Sequence, residues 1–429
     1  MAINRFVLSQ NNGKQKIFFG WKVVLGAFIA EMTGTIPGPP VFGFFIIPMT
    51  QSMGIGRGAF TLAYSLRAVF DGLSGPIVGR LVDRQGPRML MAFGSFFTGL
   101  AIMSLAGVTS FWQLALACSV LGVAEAPGIS RMVTLVTVAR WFTRMRGRAT
   151  AIATAGFSLG IAIIAPTTQA LIAVIGWQIS WVILGVAVWL LMIPTSLAFM
   201  RKSPESMGMR PDGDNGVVET GSGTVDIPGE EFVWTLQMAL RTRALWFMAF
   251  AILMGATAVP AVTFHQAPAI LDKGFGAPIA ATAVLIFGLS ATASKLIFGF
   301  LVERMPVQHL FIVCLAGSGG ALYTLVIAHT LPLVLIYAFL YGGLRGAFPT
   351  LEAVVWADYF GRTYLGTIRG TFQPLILIAR AGGPLLGGVL FDLTGSYDIA
   401  LQTCIVMLIF GAVAMVFAPA PHHPSKVRL

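Results

Sequence analysis

Charge is what this chain has least of. Asp, Glu, Lys and Arg make up 10% of its 429 residues, where a soluble protein carries about 25%. So few charges cannot clothe a water-exposed surface of this size, and the deficit points to a membrane protein. Acids are scarcer than bases, 17 against 28, giving a formal net charge of +11. Cysteine is almost absent. Cys118, Cys314 and Cys404 each stand alone in an apolar run, which leaves no disulfide framework or metal-ligand spacing and reads as buried, inert thiols. There is no Walker A sequence and no room for a soluble nucleotide-binding domain, so ATP-driven transport is excluded. No metal or nucleophile constellation marks an enzyme, and no cofactor is expected.

What is present is hydrophobic. Some 56% of the residues are apolar, and runs of about 20, the length that crosses a bilayer as a helix, recur from end to end. Twelve can be marked, from Gly20–Met49 through Arg148–Val174 and Gln178–Met200 to Asp398–Ala418. The first run is longer than the apolar region of a signal peptide, so no cleaved leader is expected. The fold class predicted is an all-α membrane protein of twelve transmembrane helices in two six-helix halves.

The basic surplus is distributed as a topology signal rather than as a nucleic-acid footprint. With the amino terminus inside, two of the 28 Lys and Arg, Arg57 and Lys273, fall in external loops, five fall within spans, and 21 fall in cytoplasmic segments. This positive-inside asymmetry places both termini in the cytoplasm, in a bacterial inner membrane. The polar segment Arg201–Arg243, rich in Gly, Pro, Asp and Glu, reads as a flexible linker. It divides the chain into residues 1–200 and 244–429.

The halves echo each other. GRLVDRQGPRML (Gly79–Leu90) recurs as GFLVERMPVQHL (Gly299–Leu310), a 220-residue offset from 79 to 299, and ARWFTRMRG at Ala139 recurs as ADYFGRTYLG at Ala357. Repeated halves place a transporter's substrate site between them near the bilayer midplane. Gly79, Asp83, Arg84, Gly86 and Arg88 match the loop signature of the major facilitator superfamily, which the chain resembles over nearly its whole length. The resemblance implies alternating access by rocking halves, with helices 1, 4, 7 and 10 lining the cavity. Asp83 is expected to cap a helix or pair with Arg and so latch the cytoplasmic side, and Gly86 to permit a tight turn.

Charge inside hydrocarbon is costly and therefore functional by default. The cations within spans are Arg67, Arg131, Lys295, Arg345 and Arg380; the acids are Glu31, Asp71, Glu125 and Glu352. One surplus positive charge favours an anionic substrate. Arg67 and Asp71, four apart, are expected to neutralise each other on one face, while Arg345 and Glu352, seven apart, share a face at a longer separation. Glu125 and Arg345 occupy equivalent positions in the repeat, and either pair across the cavity or find partners in their own halves. Arg131 is expected to play a structural part. Lys295 and Arg380 have no acid within one helical turn and are the expected substrate contacts, Arg345 being a further candidate.

The stretches FFGWKVVLGAF, TRMRGRATAIATAGFSLG, RKSPESMGMRPDGD and RGTFQPLILIARAGGPLLGGVLFDLTGSY are similar to the bacterial branch of monocarboxylate transporters and oxalate–formate exchangers. That resemblance implies carboxylate binding by Lys295, four residues before Gly299, and by Arg380. It also exposes a departure: the acid one turn before the helix 8 cation, implicated in proton coupling, is Ala291 here. Glu31 is either an alternative proton carrier or a fixed counter-ion. The function expected is secondary transport of small mono- or dicarboxylates by proton symport or anion exchange, with drug or metabolite export as the alternative. A monomer suffices for this. His265 reads as a hydrogen-bonded structural histidine or a proton relay, and Gly156 and Gly160 as a close helix contact. Trp21, Trp112, Trp177 and Trp246 read as interfacial anchors.

Overall fold

The computed structural model describes residues 18–142, 145–210, 234–302, 304–361 and 364–421; the side chain of Asp83 lies outside the described part, as do Glu303 and Arg362. All regular structure among these residues is helical. In chain order the helices are α1 (Phe19–Thr33), α2 (Pro39–Met53), α3 (Arg57–Gln85), α4 (Pro87–Ser104), α5 (Phe111–Gly128), α6 (Arg131–Trp141), α7 (Arg146–Phe199), α8 (Leu236–Leu240), α9 (Arg243–Asp272), α10 (Ala277–Leu301), α11 (Val307–Val326), α12 (Leu331–Phe360), α13 (Leu365–Thr394) and α14 (Asp398–Val416). Nine helical stretches among the described residues are long and apolar enough to cross a membrane. α1 and α2, of 15 residues each, are too short to do so alone, and α3 carries Arg67 and Asp71 in its middle.

Two apolar runs are interrupted where the sequence suggested continuity. Between α1 and α2 the chain passes through Gly34, Pro37 and Gly38, and α2 restarts on Pro39 and Pro40, positions where a missing N–H costs nothing. Between α5 and α6 the break follows Pro127 and Gly128. α7 holds two arms that meet at Gly176, whose φ of 81° and ψ of 166° are non-helical. The arms correspond to two of the runs read from the sequence. Gly86, at φ 81°, makes the tight turn between α3 and α4 expected of it.

Packing follows small residues. α7 lies along α1, α4 and α6, and α3 and α4 lie along α5; separately, α9 packs on α13 and α14, α11 on α12 and α14, and α10 on α12. Contacts between these two sets run along α7–α10, α3–α13 and α2–α9. Gly156 and Gly160 admit α1 so closely that a Cβ would meet the carbonyls of Phe28 and Met32. At one end of the α2–α9 contact, a Cβ on Gly43 would collide with the carbonyl of Phe264. Such contacts leave no room for a methyl group. All three cysteines are buried, as expected, and Trp112 and Trp246 face outward at helix starts.

Candidate functional site

A cavity of about 350 Å³ opens between the two sets of helices. Its wall includes all nine charged residues picked out above: Glu31, Arg67, Asp71, Glu125, Arg131, Lys295, Arg345, Glu352 and Arg380. Both interrupted segments reach it, through Gly34, Pro39, Ile129 and Ser130, and Pro260 and Pro349 reach it from inside α9 and α12. Irregular backbone at membrane depth is tolerated where it lines a polar cavity.

The charges are mostly paired, and not as the sequence suggested. Arg67 donates to Glu125 and to the Tyr64 hydroxyl at 3.0 Å, rather than turning to Asp71. In this structure Glu125 therefore pairs inside its own set of helices and not with Arg345, although both line the cavity. The physical reason is closeness: Gly122 of α5 packs against the backbone of Arg67, which brings the two side chains onto one seam. Arg131 Nε meets Glu31 Oε2 at 3.1 Å, and Thr134 donates to the other carboxylate oxygen at 3.0 Å. Glu31 is thus ion-paired, with Arg131 instead of with Lys295 or Arg380. Glu352 accepts from Arg380 at 3.1 Å and from Arg369 at 3.3 Å. Arg380, an orphan in sequence, has an acid in space, and Glu352 is taken up by α13 rather than by Arg345.

Two cavity cations have no acidic partner among the described residues. Lys295 Nζ donates to the Thr154 carbonyl of α7 at 3.0 Å, so it reaches across to the other set of helices. Arg345 lies 5.8 Å from the Phe287 ring, and its Nε is buried without a hydrogen-bond partner. A buried donor left unsatisfied is costly, and a carboxylate would satisfy it. Three acids of the wall are matched by three arginines; Asp71 remains against Lys295 and Arg345.

The ion pairs yield a stability prediction. Arg67→Gln leaves Glu125, 5% exposed, buried without its cation, and should lower the unfolding free energy by about 3–5 kcal/mol. Adding Glu125→Gln should restore most of the thermal stability; a double variant no more stable than Arg67→Gln would show that the pair is not the cause.

One end of the cavity is sealed by Arg57, which the sequence placed only as an external-loop charge, together with Asp272 and Asp392, which it did not single out. Arg57 forks onto Asp272 at 2.5 and 3.2 Å and covers the Phe391 ring at 3.8 Å. Asp392 accepts from the backbone N–H groups of Arg57 at 2.9 Å and Gly58 at 2.7 Å, capping α3 from the other set of helices. The signal was available: Arg57 and Lys273 are the basic residues at that end, and Asp272, Asp392 and Asp398 are acids at helix ends facing them. Below this seal Tyr64 and Phe264 pack at 4.5 Å, and neither they nor Tyr341 line the cavity. His265 bonds Tyr397 at 3.0 Å and the Pro384 carbonyl at 2.8 Å, the structural arrangement expected of it. The seal lies about 15 Å along α3 from Arg67 and about 18 Å along α13 from Arg380. At the far side Arg131 and Arg380 keep 44% and 51% of their side chains exposed, so the cavity is open to water there.

The sequence model of the Major Facilitator Superfamily matches residues 23–291 and 266–429. Monocarboxylate transporter 12 of Homo sapiens is 28% identical over 438 residues, covering 96% of this chain and 82% of its own. The uncharacterized MFS-type transporter YcxA of Bacillus subtilis is 23% identical over 403 residues, with 92% and 93% covered. Among solved structures, a bacterial homologue of the human lysosomal transporter Spinster, crystallised inward-facing and unoccupied, superimposes with a TM-score of 0.66 at 14% identity, over 95% of this chain and 97% of that one. This last likeness is one of fold.

Proposed function

Because the chain belongs to the Major Facilitator Superfamily, a family of transporters rather than enzymes, we propose that it moves small organic anions across the membrane by alternating access. The observation that carries the substrate class is the pair of acid-free cations, Lys295 and Arg345, in a wall whose other cations are engaged by acids. Arg345 takes the place given above to Arg380 as second anchor, since Arg380 is neutralised by Glu352. Mono- and dicarboxylates fit this chemistry, an arginine fork and an ammonium being the usual partners of a carboxylate. The name of the related monocarboxylate transporter 12 agrees with it.

The topology proposed is twelve spans. α1 with α2 forms one, α5 with α6 another, α7 supplies two, and α3, α4 and α9 to α14 supply one each, while the short α8 supplies none. Residues 1–200 and 244–429 form two halves joined by the 201–243 linker, with both termini in the cytoplasm of a bacterial cell. On this topology the Arg57–Asp272–Asp392 seal is external and the cavity faces inward. The loop motif Gly79, Asp83, Arg84, Gly86 and Arg88 then sits at the open side, where it would latch the opposite state.

Coupling follows from what surrounds Lys295. Ala291 offers no proton site, and Glu31 is held by Arg131 and Thr134, so exchange of one anion for another is the favoured mode. In proteoliposomes, labelled carboxylate uptake should rise severalfold with unlabelled carboxylate inside and respond little to a pH gradient. Uptake driven by the pH gradient alone would replace exchange with symport; no carboxylate uptake under either condition would remove the anion reading.

A further inference from the structure

A second concavity, of about 620 Å³, lies on the outward face of the bundle in the crease between α4 and α5, with α3 as its third wall. Phe93 and Phe97 of α4 are 59% and 57% exposed and Leu116 of α5 is 66% exposed, so its rim faces away from the protein. The floor is made of Gly94, Ala124 and Pro127, small or kinked residues that keep it deep. Gly94 lies directly on the α5 backbone at Pro127 and Gly128, which closes the crease at its base. Serine is the sole polar residue type in the lining, and the Ser119 hydroxyl is already donated to the Ala115 carbonyl at 2.7 Å. Nothing in the groove offers water a partner, so its occupant is a hydrocarbon.

One end of the groove carries charge. Leu90 lines it two residues beyond Arg88, at the start of α4. Arg88 and Arg84 are both exposed, and Lys202 is held beside them by donating to the Arg84 carbonyl at 3.2 Å. Arg201 joins the cluster. Its pKa is drawn below the usual arginine value by burial and then by repulsion from Arg88. Four cations therefore gather where the apolar groove meets the polar edge of the bundle. Basic residues at a membrane edge attract anionic lipid headgroups.

We propose that this groove is a binding site for one acyl chain of an anionic phospholipid, whose headgroup is held by Arg84 and Arg88. Each methylene removed from water contributes about 0.8 kcal/mol, but inside a bilayer that gain is shared with every other lipid-facing surface. Selectivity for this place comes from shape and from the charge at its end. The site also stands against the transport cavity. Phe70 and Ala124 line the groove while their neighbours Asp71 and Glu125 line the cavity, so α3 and α5 form a wall common to both. An occupied groove fills the space into which that wall could otherwise relax, and supports the seam on which Arg67 and Glu125 meet.

The test uses the full chain in nanodiscs containing phosphatidylglycerol with a photoreactive group in its acyl chain, labelled residues being mapped by mass spectrometry. Labelling should concentrate several-fold on residues 90–97 and 116–127 relative to other outward residues such as Val313 and Phe410. Val123→Trp, which fills the groove from an exposed position, should bring it down to the level of those controls, and Leu116→Trp serves the same end if the first variant does not fold. Arg88→Gln should reduce labelling by phosphatidylglycerol to that seen with a phosphatidylcholine probe of the same chain. Even labelling around the bundle would overturn the site. Equal labelling by both probes in the unaltered protein would overturn the anionic headgroup, and cross-links between chains through the groove would assign it to a second copy instead.

Discussion

Replacing Lys295 or Arg345 with Gln should reduce carboxylate uptake to background while leaving the protein folded and inserted. A hydrogen bond to a charged group contributes about 1.5–3 kcal/mol, and a decade of affinity corresponds to about 1.4 kcal/mol, so each loss weakens binding roughly ten- to a hundredfold. The two cations occupy different helices, α10 and α12, and meet one small ligand, so the double variant should show no saturable binding at all. Neither substitution strands an acid among the described residues, where neither cation has an acidic partner. Arg380→Gln behaves differently: it takes one of two cations from Glu352, 2% exposed, and should cost stability more than affinity. Binding measured by isothermal titration, alongside thermal melts of each variant, separates these outcomes. If Arg380→Gln loses binding with its melt unchanged while Arg345→Gln binds normally, the second anchor is Arg380 after all.

Asp392→Ala should open the sealed end. Its carboxylate caps the amino terminus of a 29-residue helix across the interface, where a negative charge is favoured by the helix dipole by about 0.3–1 kcal/mol and more when partly buried. In the proposed cycle those bonds span the two halves at the closed end, so their loss should fall on the conformational equilibrium and not on the folding of either half. Two charge-assisted hydrogen bonds together predict a shift of at least about tenfold toward the opposite state. A cysteine introduced as Met53→Cys, beside the seal, should then react about tenfold faster with an impermeant maleimide, the buried Cys118, Cys314 and Cys404 staying silent. Asp272→Asn should act in the same direction through Arg57. An unchanged rate in both variants would mean that apolar contacts such as Tyr64 on Phe264 hold the end closed by themselves.

Which residues face the cavity was legible in the sequence, and how they pair was not. Charge in an apolar run has few places to go, and all nine such residues reached the cavity wall. Pairing depends on the rotation and register of one helix against another. Glu352 lies 28 residues from Arg380 and bonds it, yet lies seven from Arg345 and does not. Four-residue spacing suggested Arg67 with Asp71, but the close approach permitted by Gly122 offered Glu125 instead. The break between α1 and α2 was written in Thr35, Pro37, Gly38, Pro39 and Pro40, and was masked because hydrophobicity continues across it. The seal escaped because Arg57 is more than 200 residues from each of its partners, Asp272 and Asp392, and all three are individually ordinary loop-end charges.

The bare backbone meeting of Gly43 with the Phe264 carbonyl has a practical use. A single methyl group there would act as a doorstop. Gly43→Ala leaves α2 free to form, since alanine favours helix over glycine by about 1 kcal/mol, but it forbids the closed end as described. The variant would hold the molecule ajar on the side now shut, giving a one-carbon handle for capturing the state in which the substrate is met from outside.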